Sequence, residues 1–416
     1  MTPGRRADVV VIGGGQAGLA MSRCLTDRSI DHVVIERGRV AERWRSERWK
    51  TLRLLTPNWQ SRLPGWHYRG NDPDGYFTMP ELVSHLVSYA DSFEAPVHQH
   101  TTVLSVRHAN GGGYRVVTDQ GAWSAANVVV ATGACDTPNV PAVATGLPAA
   151  VRQITPNRYR GPDEVEPGGV LVVGAAATGV QIACELRRAG RDVVLAAGKH
   201  TRVPRRYRGR DIYWWLDRLG ITTRPIESMH NPRRAPHEPS LQLVGDPRGR
   251  TLDLARLAGM GVRLAGRMTR VAGHRVEFAD DLATSCADAD ARMHRLLDRI
   301  DVDAAATGLD GELEPADRPH NFTPCGLTSL DLHRAGITNV VWATGYRRTY
   351  PWLHVPVLDR DGEIRHRGGL TDAPGLSVIG LPFQRRRNSA FLDGVGDDAE
   401  VLAEHLARGL DERACA

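Results

Sequence analysis

Two short stretches of this chain carry the residue types and spacing that hold a dinucleotide. In the first, DVVVIGGGQAG, a β-branched run is followed by Gly13, Gly15 and Gly18 at the GxGxxG spacing. The first glycine of such a motif permits a tight turn, the second lets the backbone approach a pyrophosphate, and the third lets a helix pack close to a strand. The apolar spacing of QAGLAMSRCL predicts a helix directly after the turn. Its N-terminus would aim free N–H groups and a positive dipole end at the phosphates, which places Gln16 and Ala17 in the binding turn with the glycines. A second run, HVVIE, ends at Glu36, 23 residues beyond Gly13. That is where a carboxylate accepts from a ribose hydroxyl.

The second stretch, VLVVGAAATG, repeats this shape with Gly174, Ala175, Ala176, Ala177, Thr178 and Gly179. Ala176 stands where the middle glycine stood, so one methyl group is added beside the phosphate path, loosening the approach without forbidding it. TGVQIACELRRAG predicts a helix ending at Gly190, and DVVLA predicts the next strand. The same offset of 23 residues from Gly174 now falls on Ala197, which is no acid. Without a carboxylate to repel it, a 2′-phosphate fits this strand end, and Lys199, Arg202, Arg205 and Arg206 follow closely. The alternative for KHTRVPRRYRGR is a solvated basic loop. The first turn therefore suits the adenosine ribose of FAD, and the second suits NADPH.

The remaining residues frame these turns. At 416 residues with 41% hydrophobic side chains, the chain is long enough for two domains. The net charge is +5, yet the only lysines are Lys50 and Lys199, and arginines and carboxylates are interspersed, so no nucleic-acid face is expected. Cys24, Cys135, Cys184, Cys286, Cys325 and Cys415 form no CxxC pair, which argues against a disulfide framework or a dithiol redox site and fits a cytoplasmic protein. Arg5 and Arg6 precede only DVVVI, which reads as a strand and not as an export signal, and no apolar run approaches the roughly 20 residues of a membrane span. The 16 histidines show no HExxH or Cys/His ligand spacing, so no metal is expected. TTVLSVRHA, YRVVTD and WSAANVVVA alternate like an antiparallel meander, and Trp214 and Trp215 read as core, with the lining of a substrate entry as the alternative.

Two such turns, with VVVATG ending at Gly133 and VVWATG ending at Gly345, resemble the flavin-containing monooxygenases, the class B flavoproteins that include plant-type indole-pyruvate monooxygenases and bacterial relatives. ERW at Glu42–Trp44, LRLLTP at Leu52–Pro57 and RLPGW at Arg62–Trp66 look like the segment over the flavin, and PGLSVIG with NSAFLDGVGDDA looks like the last strand and the helix that meets the flavin pyrimidine. The resemblance implies an α/β fold of two Rossmann-like dinucleotide-binding domains, with the NADPH domain (149–345) inserted into an FAD domain made of 1–148 and 346–416. It adds Arg37, Trp44, Arg45, Thr132, Gly133, Leu392 and Asp393 to the FAD site, and Thr344 and Gly345 to the NADPH site. It implies a small organic substrate and molecular oxygen as co-substrate, one oxygen atom being transferred to nitrogen, sulfur or a carbonyl through a flavin C4a-peroxide. Asn58 would offer an amide beside the flavin, or else serve as a turn residue after Pro57.

In one place the chain departs from the family. Its aromatic-x-Gly-x-x-x-His segment, aligned on Tyr159, falls on Ala149, Val151 and Thr155. A reductase that uses the same cofactors without oxygen insertion is thus an open alternative, as is a non-catalytic flavin-binding redox sensor. No motif specifies an oligomeric state.

Overall fold

The computed structural model describes residues 5–229 and 240–414; Cys415 lies outside them. The chain begins with β1 (Arg5–Ile12), α1 (Gln16–Thr26) and β2 (His32–Ile35), followed by α2 (Glu42–Ser46) and α3 (Met79–Asp91). Val9, Val10 and Val11 of β1 are fully buried, as an interior parallel strand covered on both faces requires. Then come β3 (Val97–His98), β4 (Val103–His108), β5 (Tyr114–Thr118) and β6 (Gly121–Val130). The sheet order is β3-β2-β1-β6-β5-β4, and the late strand Leu376–Val378 also joins β6.

The strand β6 has two jobs. Its first half closes the antiparallel meander with β5, pairing Tyr114 with Ala125 and Thr118 with Gly121. Along its length it pairs parallel with β1, as far as Ile12 opposite Val130. Its end receives Leu376–Val378 on the other side. The meander expected from alternation is therefore continuous with the parallel dinucleotide-binding sheet.

After β7 (Thr137–Pro138), a second sheet is built from β8 (Arg152–Ile154), β9 (Gly169–Val173), α4 (Ala177–Arg188) and β10 (Val193–Ala196), together with the strands Arg263–Ala265 and Ile337–Trp342. All five strands are parallel, with β9 between β10 and Ile337–Trp342. A 25-residue helix, Leu282–Ala306, lies between the last two. The two chain crossings between the sheets run side by side: β7 pairs antiparallel with Tyr346–Arg347, and Asn139 N–H donates to Gly345 O at 2.9 Å. Arg43 donates to Asp136, and Thr349 Oγ1 to the same carboxylate, which fastens both crossings to α2.

The helix Leu392–Ala414 closes the first unit. Val395, Ala399, Leu402 and Leu406 are buried at four-, three- and four-residue intervals, a helical stripe in the same core as Leu19 and Ala20 of α1. Trp215 is fully buried and its Nε1 donates to Tyr207 O at 2.9 Å, while Trp214 is half-buried between Arg210 and Arg218. Asp398 is buried on the same terminal helix, 3.8 Å from Arg385 Nε. Burial outweighs the Ser389 hydroxyl and the neighbouring arginines and pushes its carboxyl up to about 6. A carboxyl raised in this way favours the folded state fully below its unfolded pKa, and that contribution is lost as pH rises through the folded value. Asp398→Asn should therefore leave the variant less stable relative to wild type at pH 4 than at pH 7.5, the gap narrowing or reversing by on the order of 2–3 kcal/mol. Urea unfolding at both pH values reads this; a pH-independent difference would rule it out.

Candidate functional site

The first turn is built by contacts that only glycine permits. Gly13 has φ +116°, and a Cβ there would lie 2.6 Å from Ala131 O. A Cβ on Gly18 would overlap Gly13 O. Gly15 is different: it has an ordinary extended backbone, and a Cβ there would meet nothing within 4 Å. Gly13 and Gly18 thus hold the chain together, while Gly15 borders open space. Gly133, φ +75°, borders open space in the same way. Glu36 sits at the end of β2 with its carboxylate held by two backbone donors, Gly14 N–H at 2.6 Å and Gly38 N–H at 2.8 Å. Its remaining lone pairs can accept from ribose hydroxyls.

Other elements converge on this turn. Trp44 Nε1 donates to Gln16 Oε1 at 3.1 Å, setting α2 above the turn. Gln16 Nε2 reaches Ala390 O at 3.4 Å, just before the terminal helix. Gly380 abuts Ala17, since a Cβ there would lie 2.6 Å from the alanine methyl. Leu392 and Asp393 begin the terminal helix, so their N–H groups have no intrahelical acceptor. The Asp393 side chain is buried and bonded to Arg62 Nε at 2.5 Å, so only the backbone of Asp393 is free to meet a ligand. Arg37 pairs with Glu47 at 3.3 Å, and Arg45 is exposed.

The second turn repeats the construction. Gly174, φ +105°, faces Ala343 O as Gly13 faces Ala131 O, and a Cβ on Gly179 would overlap Gly174 O. Ala176 occupies the Gly15 position with φ −79°, half-buried at the head of α4. Gly345 borders open space as Gly133 does. Thr344 donates its hydroxyl to Asn139 O at the paired crossings.

The bases after Ala197 divide sharply. Arg202 is buried, bonded to Asp290 at 2.8 Å, Asp253 at 3.1 Å and His320 O at 2.6 Å, so the expectation that it binds a 2′-phosphate is corrected: its charge is already neutralised in the interior. Arg205 is likewise buried, paired with Asp211 and stacked between Tyr76 and Tyr213. Lys199 is exposed and makes no ion pair among the described residues. The structure places a second base beside it that sequence reasoning missed. A Cβ on Gly198 would lie 3.9 Å from Cγ and Cδ of Arg267, whose side chain is 65% exposed and whose Nε is 3.7 Å from Asp281. Arg267 follows the strand Arg263–Ala265, which neighbours β10, so no local signal announces it.

Asn58 is buried, and its Nδ2 donates to Asp72 O at 2.9 Å. Among the described residues its Oδ1 has no partner, nor do Gln60 Oε1 and Ser61 Oγ. Such a group of orphaned polar atoms is what a hydrogen-bonding ligand would satisfy. His85 stacks among Trp66 and Phe77, and burial lowers its pKa to about 4, so it is neutral at pH 7. At the place of the family histidine, Thr155 Oγ1 bonds Asn157 Oδ1 at 2.7 Å. Tyr159 is buried against Trp49, its hydroxyl donating to Glu185 at 3.0 Å.

The profile of the pyridine nucleotide-disulphide oxidoreductase family matches residues 10–214, which span the first turn, the meander and the second turn. An uncharacterized oxidoreductase CzcO-like of Geobacillus kaustophilus is 33% identical over 402 residues, covering 96% of this chain and 98% of that protein. The chain belongs to the same family as this CzcO-like oxidoreductase. The probable indole-3-pyruvate monooxygenase YUCCA1 of Arabidopsis thaliana is 30% identical over 183 residues, 43% of this chain and 44% of that one. The fold is that of a flavin-containing monooxygenase from Stenotrophomonas maltophilia, with TM-score 0.68 at 19% identity over 99% of this chain and all of that one. Among the described residues no helix is long and apolar enough to cross a membrane.

Two outcomes follow from the contacts of this oxidoreductase. Gly18→Ala should destabilise by about 1–3 kcal/mol, because the methyl must displace the Gly13 carbonyl. Arg202→Gln should cost about 3–5 kcal/mol, because Asp253 and Asp290 lose their cation in the interior. Chemical denaturation checks both; a neutral Arg202→Gln would mean that the buried charge cluster is not formed.

Proposed function

We propose that the protein binds FAD at the Gly13–Gly18 turn and NADPH at the Gly174–Gly179 turn, and inserts one atom of O2 into a small organic substrate at nitrogen, sulfur or a carbonyl. The observation that carries this reading is the doubled turn, each copy closed by its own Ala-Thr-Gly segment, with an acid after the first and bases after the second. Relatives with monooxygenase names support it. NADPH, when bound, would supply a hydride, and the reduced flavin the electrons that activate oxygen, the second oxygen atom leaving as water.

The chain's own part is to bind and orient. Glu36 accepts from the FAD ribose, and the N–H groups at the heads of α1 and α4 face the two pyrophosphates. Lys199 and Arg267 stand at the end of β10 for the 2′-phosphate, taking the place of Arg202. The free N–H groups of Leu392 and Asp393 favour negative charge at the flavin ring. The orphaned oxygens of Asn58, Gln60 and Ser61 are available to hydroxyl or N–H donors of a ligand.

One observation favours a second reading, a flavin reductase that inserts no oxygen. Thr155, at the position of the family histidine, spends its hydroxyl on Asn157 and has no imidazole to offer. The sequence holds no CxxC dithiol for the disulfide-reducing form of that chemistry. Turnover under isotopically labelled oxygen separates the readings. Label in the product across amine, sulfide and ketone panels supports oxygen insertion; NADPH oxidation that yields only reduced acceptor or peroxide supports the reductase.

The coenzyme assignments have their own tests. Gly15→Val should fold normally, since its backbone is unstrained and its Cβ meets nothing, yet emerge with little flavin because the branched side chain enters the pyrophosphate path. Stoichiometric flavin in that variant would contradict the site. Reversing Lys199 and Arg267 to glutamate should lower NADPH efficiency by at least about tenfold and spare NADH, each phosphate contact contributing about 1.5–3 kcal/mol. Anaerobic flavin reduction with both coenzymes measures this, and an unchanged NADPH preference would remove the assignment.

A further inference from the structure

A cavity of about 520 Å³ lies between the 49–53 segment, the outer face of α4 and the loop 244–252. Neither dinucleotide turn lines it. On α4 it is bordered by Gln181, Cys184, Glu185 and Arg188, a face that runs from the second turn of the helix to its C-terminus and away from Gly174–Gly179.

Its lining combines apolar surface with uncommitted positive charge. Trp49, Val244 and Leu252 supply the apolar part, Trp49 and Leu252 being buried. Two arginines of the lining are spent: Arg250 on Asp246 at 2.8 Å, and Arg53 on Tyr76 O at 2.8 Å. The Glu185 carboxylate is occupied by Thr51 Oγ1 and by the Tyr159 hydroxyl. Arg188, Arg248 and Arg256 are exposed and form no ion pair among the described residues. Three unpaired guanidinium groups around one concavity favour an anion, and guanidinium matches a carboxylate in planar, two-pronged geometry. The volume exceeds what a bare inorganic ion needs and lies in the range of small-molecule sites.

We propose that this cavity is a second ligand site, separate from both coenzyme turns, for an organic anion that joins a carboxylate to an aromatic body. The carboxylate meets Arg188 and Arg256, and the ring lies against Trp49 and Leu252. Because Trp49 precedes the segment expected over the flavin while α4 carries the second turn, such a ligand bridges the two units. The proposal goes beyond the oxygen-insertion reading and does not rest on it.

The test uses the flavin-loaded protein saturated with NADP⁺ and naphthalene-2-carboxylate as probe, followed by calorimetry. One site is expected, with affinity reduced at least about tenfold in Arg188→Gln/Arg256→Gln and unchanged in Arg270→Gln, an exposed arginine away from the cavity. Inorganic phosphate should bind far more weakly than the probe. Flavin content and melting temperature of the variants, expected to equal wild type, exclude loss of fold. No saturable binding to the NADP⁺-saturated wild type, equal loss in the Arg270 variant, or phosphate binding as tightly as the probe would each overturn the proposal.

Discussion

The structure depends on one close approach made twice: the carbonyl of an alanine at the end of a parallel strand pressed against the first glycine of a neighbouring turn. Ala131 O meets Gly13, and Ala343 O meets Gly174. In each turn that glycine's own carbonyl is covered by the third glycine, Gly18 or Gly179, so strand, turn and helix lock as a unit. No side chain fits within these contacts, whereas Gly15, Gly133 and Gly345 border space. The difference separates glycines that serve packing from glycines that leave room for a ligand.

That contact also explains where the chain changes sheets. Each Ala-Thr-Gly segment must leave its strand immediately after touching its turn, and both departures lead into β7 and Tyr346–Arg347, which pair with each other. The crossings are therefore adjacent because the two dinucleotide turns are built alike. Thr344 is drawn into this joint by its bond to Asn139, and Asp136 ties the joint to Arg43 of α2, the helix whose Trp44 holds Gln16 in the first turn. The joint and the first turn are thus linked through a single short helix.

Much of this was legible in the sequence because its signals are local. The strands β1, β2, β9 and β10 and the helices α1 and α4 lie on the apolar runs and glycine punctuation that predicted them. Gly190, with φ +81°, ends α4 as a residue free to turn left-handed must. The helix Leu282–Ala306 was not identified, although Leu282, Cys286, Ala289, Met293, Leu297, Ile300 and Ala304 form a regular buried stripe. Its small and polar residues obscured the period. Arg202 and Arg205 could not be told from solvated bases, because the carboxylates that neutralise Arg202 are Asp253 and Asp290, far along the chain. Arg267 reaches Gly198 only because Arg263–Ala265 pairs with β10, a neighbourhood created by topology.

The most direct measurement is a crystal structure of the protein purified with its own flavin and supplied with NADP⁺. Flavin pyrophosphate density should lie at Gly15 with the adenosine ribose on Glu36, and NADP⁺ pyrophosphate density at Ala176 with its 2′-phosphate between Lys199 and Arg267. A single dinucleotide shared by the two units, or flavin seated at the second turn, would contradict the assignment of one coenzyme to each copy of the motif.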